Sequence, residues 1–139
     1  MTDDQIALIQ SSFAKVVPRS NVVATMFYDR LFEMAPEYRE LFPEDMEAQR
    51  GKLMTTLAAV VQSLTNLDAI VPVVQDLGRR HVGYNVKPAD YEPVGAALLW
   101  TLETGLGDDW TDNTRDAWAA AYGLLSTVMI AAAEEASAA

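Results

Sequence analysis

One histidine and no cysteine bound the chemistry open to this 139-residue chain. Without cysteine there is no disulfide, no thiolate metal site, no iron–sulfur cluster and no thiol nucleophile. Zinc sites built on two or more histidines are excluded, and any Ser-His-Asp triad would have to use His81. His81 falls on the apolar side of a helical stretch, four residues after Leu77 and seven after Val74. Spacing alone leaves two readings open. His81 is a packed or surface histidine, or it is the axial ligand of a haem iron, a role that needs only one neutral imidazole from the protein. In the second case the other ring nitrogen must donate to a carbonyl or carboxylate. Carbonyls one turn earlier, such as that of Leu77, are natural acceptors.

The elements that must position this residue are helical throughout. Only seven glycines occur, with no Asn-Gly or Asp-Gly hairpin signal and no sustained alternation, so no strand is expected. Thr2 or Asp3 caps a first helix with the stripe Ile6, Ile9 or Gln10, Phe13 and Val16/Val17, and Pro18 stops it. A second helix starts near Ser20, with Val23, Phe27, Leu31 and Met34 on one face and Ala24, Tyr28 and Phe32 on the shoulder. Pro36 opens a short helical turn through Phe42, and Pro43 ends it. A long amphipathic helix is expected from Asp45 to Leu64, and another from about Asp68 to Gly83, carrying His81. Pro88 and Asp90 start a helix through Val94, Leu98 and Leu102 that ends at Gly105 and Gly107. The last helix follows Thr111/Asp112, with the stripe Trp118, Ala121/Tyr122, Leu125, Val128/Met129 and Ala132. Its EEASAA tail is expected to fray. Helices this unequal, with an irregular corner at 36–45, favour globin-type packing at roughly 50° over a four-helix bundle.

Ten Lys and Arg stand against 20 Asp and Glu, a net charge of −10 at pH 7. Nucleic acid and anionic membrane faces would repel such a surface and are not expected as partners. No run of 18 uncharged apolar residues occurs, so no membrane insertion is expected. The opening MTDDQIALIQ is acidic and lacks a signal-peptide pattern. These features place the expectation at one cytoplasmic domain, residues 1–139.

Four segments, in order along the chain, carry a resemblance. MFYDRLFEMAPEYRELFP resembles the second helix and following corner of the single-domain bacterial haemoglobins and of the globin half of flavohaemoglobins. QRGKLMTTLAAVVQSLTNL resembles their distal helix. LGRRHVGYNVKPADYEPVGAALL resembles their proximal helix, corner and next helix, and DAWAAAYGLLSTVMI their last helix. The resemblance implies an all-α globin fold, six to seven helices around a pocket for one haem b (iron protoporphyrin IX), with His81 as the proximal iron ligand. It implies that Phe42 packs on the haem at the corner, and that Tyr28 and Gln49, with Leu53 one turn on, form the distal side. Read without it, Phe42 is a core phenylalanine, Tyr28 a shoulder aromatic with its hydroxyl in water, and Gln49 a solvated polar residue. A one-residue slip would put Ala48 in the place of Gln49.

The remaining implied pocket residues are Thr56, Leu77, Tyr84, Val86, Tyr91, Val94, Leu98 and Tyr122. Lys52 and Arg80 are candidates to pair with haem propionates. Lys52 could instead reach the iron, and Arg80 reads equally as part of a solvated face. In flavohaemoglobins a tyrosine and a glutamate surround the proximal histidine. Tyr91 matches the tyrosine, whereas Ala133, followed by Glu134 and Glu135, stands where the glutamate would be.

The implied function is reversible binding of dioxygen, and of carbon monoxide and nitric oxide, at a sixth iron position that no second histidine can close. Dioxygen there takes on negative charge, to which a tyrosine hydroxyl and a glutamine amide both donate. The alternative is an enzyme, nitric oxide dioxygenase, which converts nitric oxide to nitrate and would need an external reductase. A haem-free helical interaction module is a third class. The chain is expected to be a monomer or a weak homodimer.

Overall fold

Thr2 opens the first helix with a reciprocal cap. Its hydroxyl accepts from the Gln5 N–H at 3.1 Å, while the Gln5 side chain accepts from the Thr2 N–H at 3.1 Å. In the computed structural model, which describes residues 1–83 and 86–138, helix α1 then runs Asp3–Val16. Pro18 does not break the chain's course. It tightens it into a 3₁₀ turn, Val17–Arg19, that leads directly into α2, Ser20–Met34. A 3₁₀ helix, Pro36–Leu41, starts the irregular corner. Then come α3 (Glu47–Gln62), α4 (Leu67–Gly83), a 3₁₀ turn at Pro88–Asp90, and α5 (Tyr91–Leu106). A 3₁₀ turn at Gly107–Asp109 precedes α6, Asp112–Ala138. The fold is all-α, with six α-helices and no strand among the described residues.

Three boundaries differ from expectation. Helix α3 starts at Glu47 rather than Asp45, because the Asp45 carboxylate accepts the Glu47 N–H at 3.0 Å and so stands before the helix. Leu64, expected inside that helix, lies beyond its end yet is only 2% exposed. The tail expected to fray stays helical to Ala138; its alanines and glutamates are strong helix formers. Pro72 lies inside α4, where its ring removes one backbone donor. It sits on an exposed position of that helix.

Ile9, Val16, Phe27, Leu31, Leu102 and Trp118 form the centre of the core, drawn from α1, α2, α5 and α6. Trp118 Nε1 donates to Ser12 Oγ at 2.9 Å, and Ser12 Oγ donates to the Leu8 carbonyl at 2.6 Å, so α6 is keyed to α1 without an orphaned polar atom. Helix α2 packs on α5, α3 on α2 and α1, and α4 on α6. Helices α3 and α4 share no substantial packed interface. These two helices, the walls of the expected pocket, are packed on different neighbours. Helix α6 is also long and apolar enough to cross a membrane by length and composition over Asp112–Ala136. Here it buries Ala117, Trp118, Ala121 and Ala132 in the core and supports α4.

The α4–α6 contact is close enough to demand glycine. A Cβ at Gly78 would overlap the Met129 carbonyl oxygen and lie 2.7 Å from the Met129 Cα, both of which are backbone. Backbone cannot swing aside as a side-chain end can. Gly78→Ala is therefore expected to lower unfolding free energy by about 1–3 kcal/mol, the usual penalty of overpacking. Urea denaturation measures this, and an unchanged midpoint would contradict the close approach.

Candidate functional site

Helix α2 places Tyr28 in the interior, 6% exposed. Phe32, one turn further, stacks on it at 6.0 Å between ring centroids, and Phe42 meets it edge-on at 5.5 Å from the corner. Phe27 adds a second edge contact at 4.9 Å. Gln49, on the first turn of α3, donates from Nε2 to the Tyr28 hydroxyl oxygen at 3.0 Å. The residue beside Tyr28 is thus Gln49 and not Ala48. Because the phenol oxygen accepts from Gln49, its own hydrogen is left to donate elsewhere. Burial pushes the Tyr28 hydroxyl above its ordinary value of 10.0, with the Gln49 bond opposing, so it remains protonated and a donor.

The second group of residues comes from α4 and α5. His81 Nδ1 lies 2.5 Å from the Leu77 carbonyl oxygen. A carbonyl oxygen only accepts, so Nδ1 carries the proton and the lone pair falls on Nε2. Past the end of α4, the Val86 N–H donates to the His81 carbonyl at 3.0 Å. The Tyr91 ring lies 6.3 Å from the His81 ring. The Tyr91 hydroxyl is buried without a hydrogen-bond partner among the described residues, and burial, then the nearby Asp90 charge, pushes it up. Tyr122 Oη donates to the Tyr91 carbonyl at 2.6 Å; its phenol is pushed up by burial and by Tyr91. Ala133 is half-buried, while Glu134 and Glu135 are exposed on α6. Among the described residues, no carboxylate from α6 reaches the Tyr91 hydroxyl.

The other expected residues divide by position. Leu53, Val94 and Tyr122 pack on the core from half-buried positions, and Leu98 is 8% exposed. Thr56, Leu77 and Val86 are half-buried, and Lys52 is exposed. Arg80 belongs to the solvated face: it pairs with Asp76 at 2.7 Å, and both side chains are at least half exposed. Tyr84 lies outside the described residues. Sequence reasoning put Phe32 on the same shoulder of α2 as Tyr28, one helical turn away, but set Phe27 on the other face, whereas its ring also meets Tyr28. It passed over Tyr38, which donates to Asp90 at 2.6 Å. Burial first, then the bond to Asp90, pushes the Tyr38 hydroxyl up to about 12.

An all-helical fold with its histidine on α4, and a Tyr–Gln pair where α2 meets α3, has the residue types that a haem globin places around its pocket. The globin family profile matches residues 25–129, and the chain belongs to that family. It is 30% identical over 128 residues, 90% of its length, to a flavohaemoprotein of Bacillus subtilis (strain 168), of which that covers 32%. It is 29% identical over 133 residues, 94% of its length, to a flavohaemoprotein of Vibrio cholerae, of which that covers 34%. The chain thus spans about a third of the length of these curated relatives. Among solved structures it resembles a bacterial globin from Campylobacter jejuni, with TM-score 0.84 and 23% identity, covering 96% of this chain and 97% of that one. It also resembles an engineered carbene transferase from Rhodothermus marinus, a candidate nitric oxide dioxygenase. There the TM-score is 0.89 and the identity 26%, covering 99% of this chain and 96% of that one.

Membership of this family implies haem binding, and the donor set suits it. The Nδ1–H form of His81 is the form in which an imidazole ligates a metal through Nε2. The walls α3 and α4 present half-buried apolar residues, Leu53 and Leu77 among them, without closing on each other.

Four tyrosines of the folded chain are held above the ordinary phenol value: Tyr28, Tyr38, Tyr91 and Tyr122. A raised value means that the folded state favours the protonated phenol. That contribution to stability is complete below pH 10 and is lost as pH rises, for Tyr38 between 10.0 and about 12. Alkaline ultraviolet titration of the native chain should lag behind the titration in guanidinium. Coincident curves would contradict the burial of these hydroxyls.

Proposed function

We propose that the chain is a gas-binding globin that holds one haem b, with His81 as the proximal ligand and Tyr28 and Gln49 on the distal side. The observation that carries this reading is the His81 Nδ1–Leu77 bond, which presents the Nε2 lone pair of the only histidine in the sequence. A bound haem would supply a ferrous iron with one open coordination position at which a diatomic gas gains electron density. Tyr28 donates its hydroxyl hydrogen to the gas, and Gln49 holds that hydroxyl in place by donating to its oxygen. A hydrogen bond to a charged acceptor in such a site contributes about 1.5–3 kcal/mol. That corresponds to roughly tenfold to hundredfold slower gas release. Phe42, Leu53, Leu77, Val86, Val94 and Leu98 would line the haem together with Thr56, and Leu53 would keep water from the distal side. Lys52, exposed on α3, and Arg80, which here pairs with Asp76 on the exposed face of α4, are the cations proposed for the propionates.

A second reading is nitric oxide dioxygenase, favoured by the likeness to the Rhodothermus marinus protein. Dioxygen, nitric oxide and one electron balance to nitrate. The electron would come from an external reductase, and the same Tyr28–Gln49 pair would hold the dioxygen. Sustained nitric oxide consumption with a cellular reductase supports this reading. Iron that stays oxidised after one turnover supports gas binding alone.

Two substitutions test the assignments. His81→Ala should abolish stable haem retention in an absorbance titration, and undiminished retention would overturn the proximal role. Tyr28→Phe should speed dioxygen dissociation in stopped flow by about tenfold or more, from the hydrogen-bond magnitude. An unaltered off-rate would place Tyr28 out of contact with the gas.

A further inference from the structure

Tyr38 and Asp90 lie 52 positions apart, and the chain between them contains both walls, α3 and α4. The Tyr38 hydroxyl donates to Asp90 Oδ1 at 2.6 Å. The other oxygen of that carboxylate accepts the Lys87 N–H at 2.8 Å. One carboxylate therefore fastens the turn that follows α4 to the 3₁₀ helix that precedes α3. At the opposite end the two walls are joined covalently through residues 63–66.

Each partner belongs to a stiff piece. Next to Tyr38, Arg39 donates to the carbonyls of Phe42 at 3.4 Å, Pro43 at 2.8 Å and Glu44 at 2.9 Å, and its guanidinium lies 5.4 Å from the Phe32 ring centroid. The corner that carries Phe42 thus moves with Tyr38. On the other side, Val86 ties the turn back to the His81 carbonyl, and Tyr91 follows Asp90 directly into α5. Around the bond the surface forms a depression of about 500 Å³ lined by Glu37, Tyr38, Leu41, Lys87 and Asp90. The bond thus lies at the surface, although the Tyr38 ring also packs against the core. With the phenol held to about 12, Tyr38 remains a donor throughout the physiological range.

We propose that the Tyr38–Asp90 bond is a latch across the edge of the cleft between α3 and α4, and that it opens when haem enters or leaves. The residues of the latch are positioning residues: they set the separation of the Phe42 and His81 segments without touching the gas. The inference rests on the haem-pocket reading above.

The test compares haem-loaded wild type with Tyr38→Phe, Asp90→Ala and the double variant. Haem transfer to excess apomyoglobin is followed by absorbance, and each apoprotein is unfolded in urea as a control. Tyr38→Phe should lose haem about three- to tenfold faster, the range expected for one partly exposed hydrogen bond to a charged group. The double variant should lose it no faster than Asp90→Ala, because both residues act through one bond. Dioxygen release should stay near wild type, and the loss of unfolding free energy in urea should be smaller than the acceleration of haem loss implies. Unchanged haem loss in Tyr38→Phe, or effects that multiply in the double variant, would overturn the latch alone. So would an acceleration fully matched by a lowered urea midpoint. A wild-type chain that takes up no haem would overturn the pocket and the latch together.

Discussion

The bond from His81 Nδ1 to the Leu77 carbonyl is the interaction on which the site depends. It converts a histidine with two possible tautomers into one with a fixed proton and a fixed lone pair. It exists because the two residues sit one turn apart on α4, which brings the imidazole of His81 over the second lone pair of the Leu77 carbonyl. Position matters as much as tautomer. Helix α4 is pressed against α6 at Gly78, where no side chain would fit, so the helix that carries His81 is held close to α6.

The two sides of the cleft are built on different principles. The distal side is a polar pair inside an aromatic cage: Gln49 orients Tyr28, while Phe27, Phe32 and Phe42 keep the pair dry. On the side of His81, Nδ1 pairs with the neutral Leu77 carbonyl, and the nearby Tyr91 hydroxyl has no hydrogen-bond partner among the described residues. A carboxylate in that place would make the imidazole more basic. With Ala133 half-buried and Glu134 and Glu135 facing solvent, α6 supplies none.

Much of this was legible in the sequence where the cause is local. Thr2 as a cap, Gly107 at a positive φ of 56° after α5, and the Leu77–His81 pairing all depend on residues within a turn of each other. The Tyr28–Gln49 pair was legible only through family resemblance, since no spacing rule joins residues 21 apart on different helices. Arg80 was ambiguous because its surface partner Asp76 and an imagined propionate are equally good counter-charges. The Tyr38–Asp90 bond was invisible, because it follows from how the corner and the turn meet in three dimensions. The helical tail was misjudged because position at a terminus outweighed the propensity of alanine and glutamate.

The most direct test of the central claim needs no haem. A ¹⁵N-labelled chain contains one histidine, so its long-range ¹H–¹⁵N spectrum reports a single ring. The account predicts, for the neutral imidazole, a protonated Nδ1 and an unprotonated Nε2. A spectrum showing the proton on Nε2, or one averaged between the two nitrogens, would contradict it.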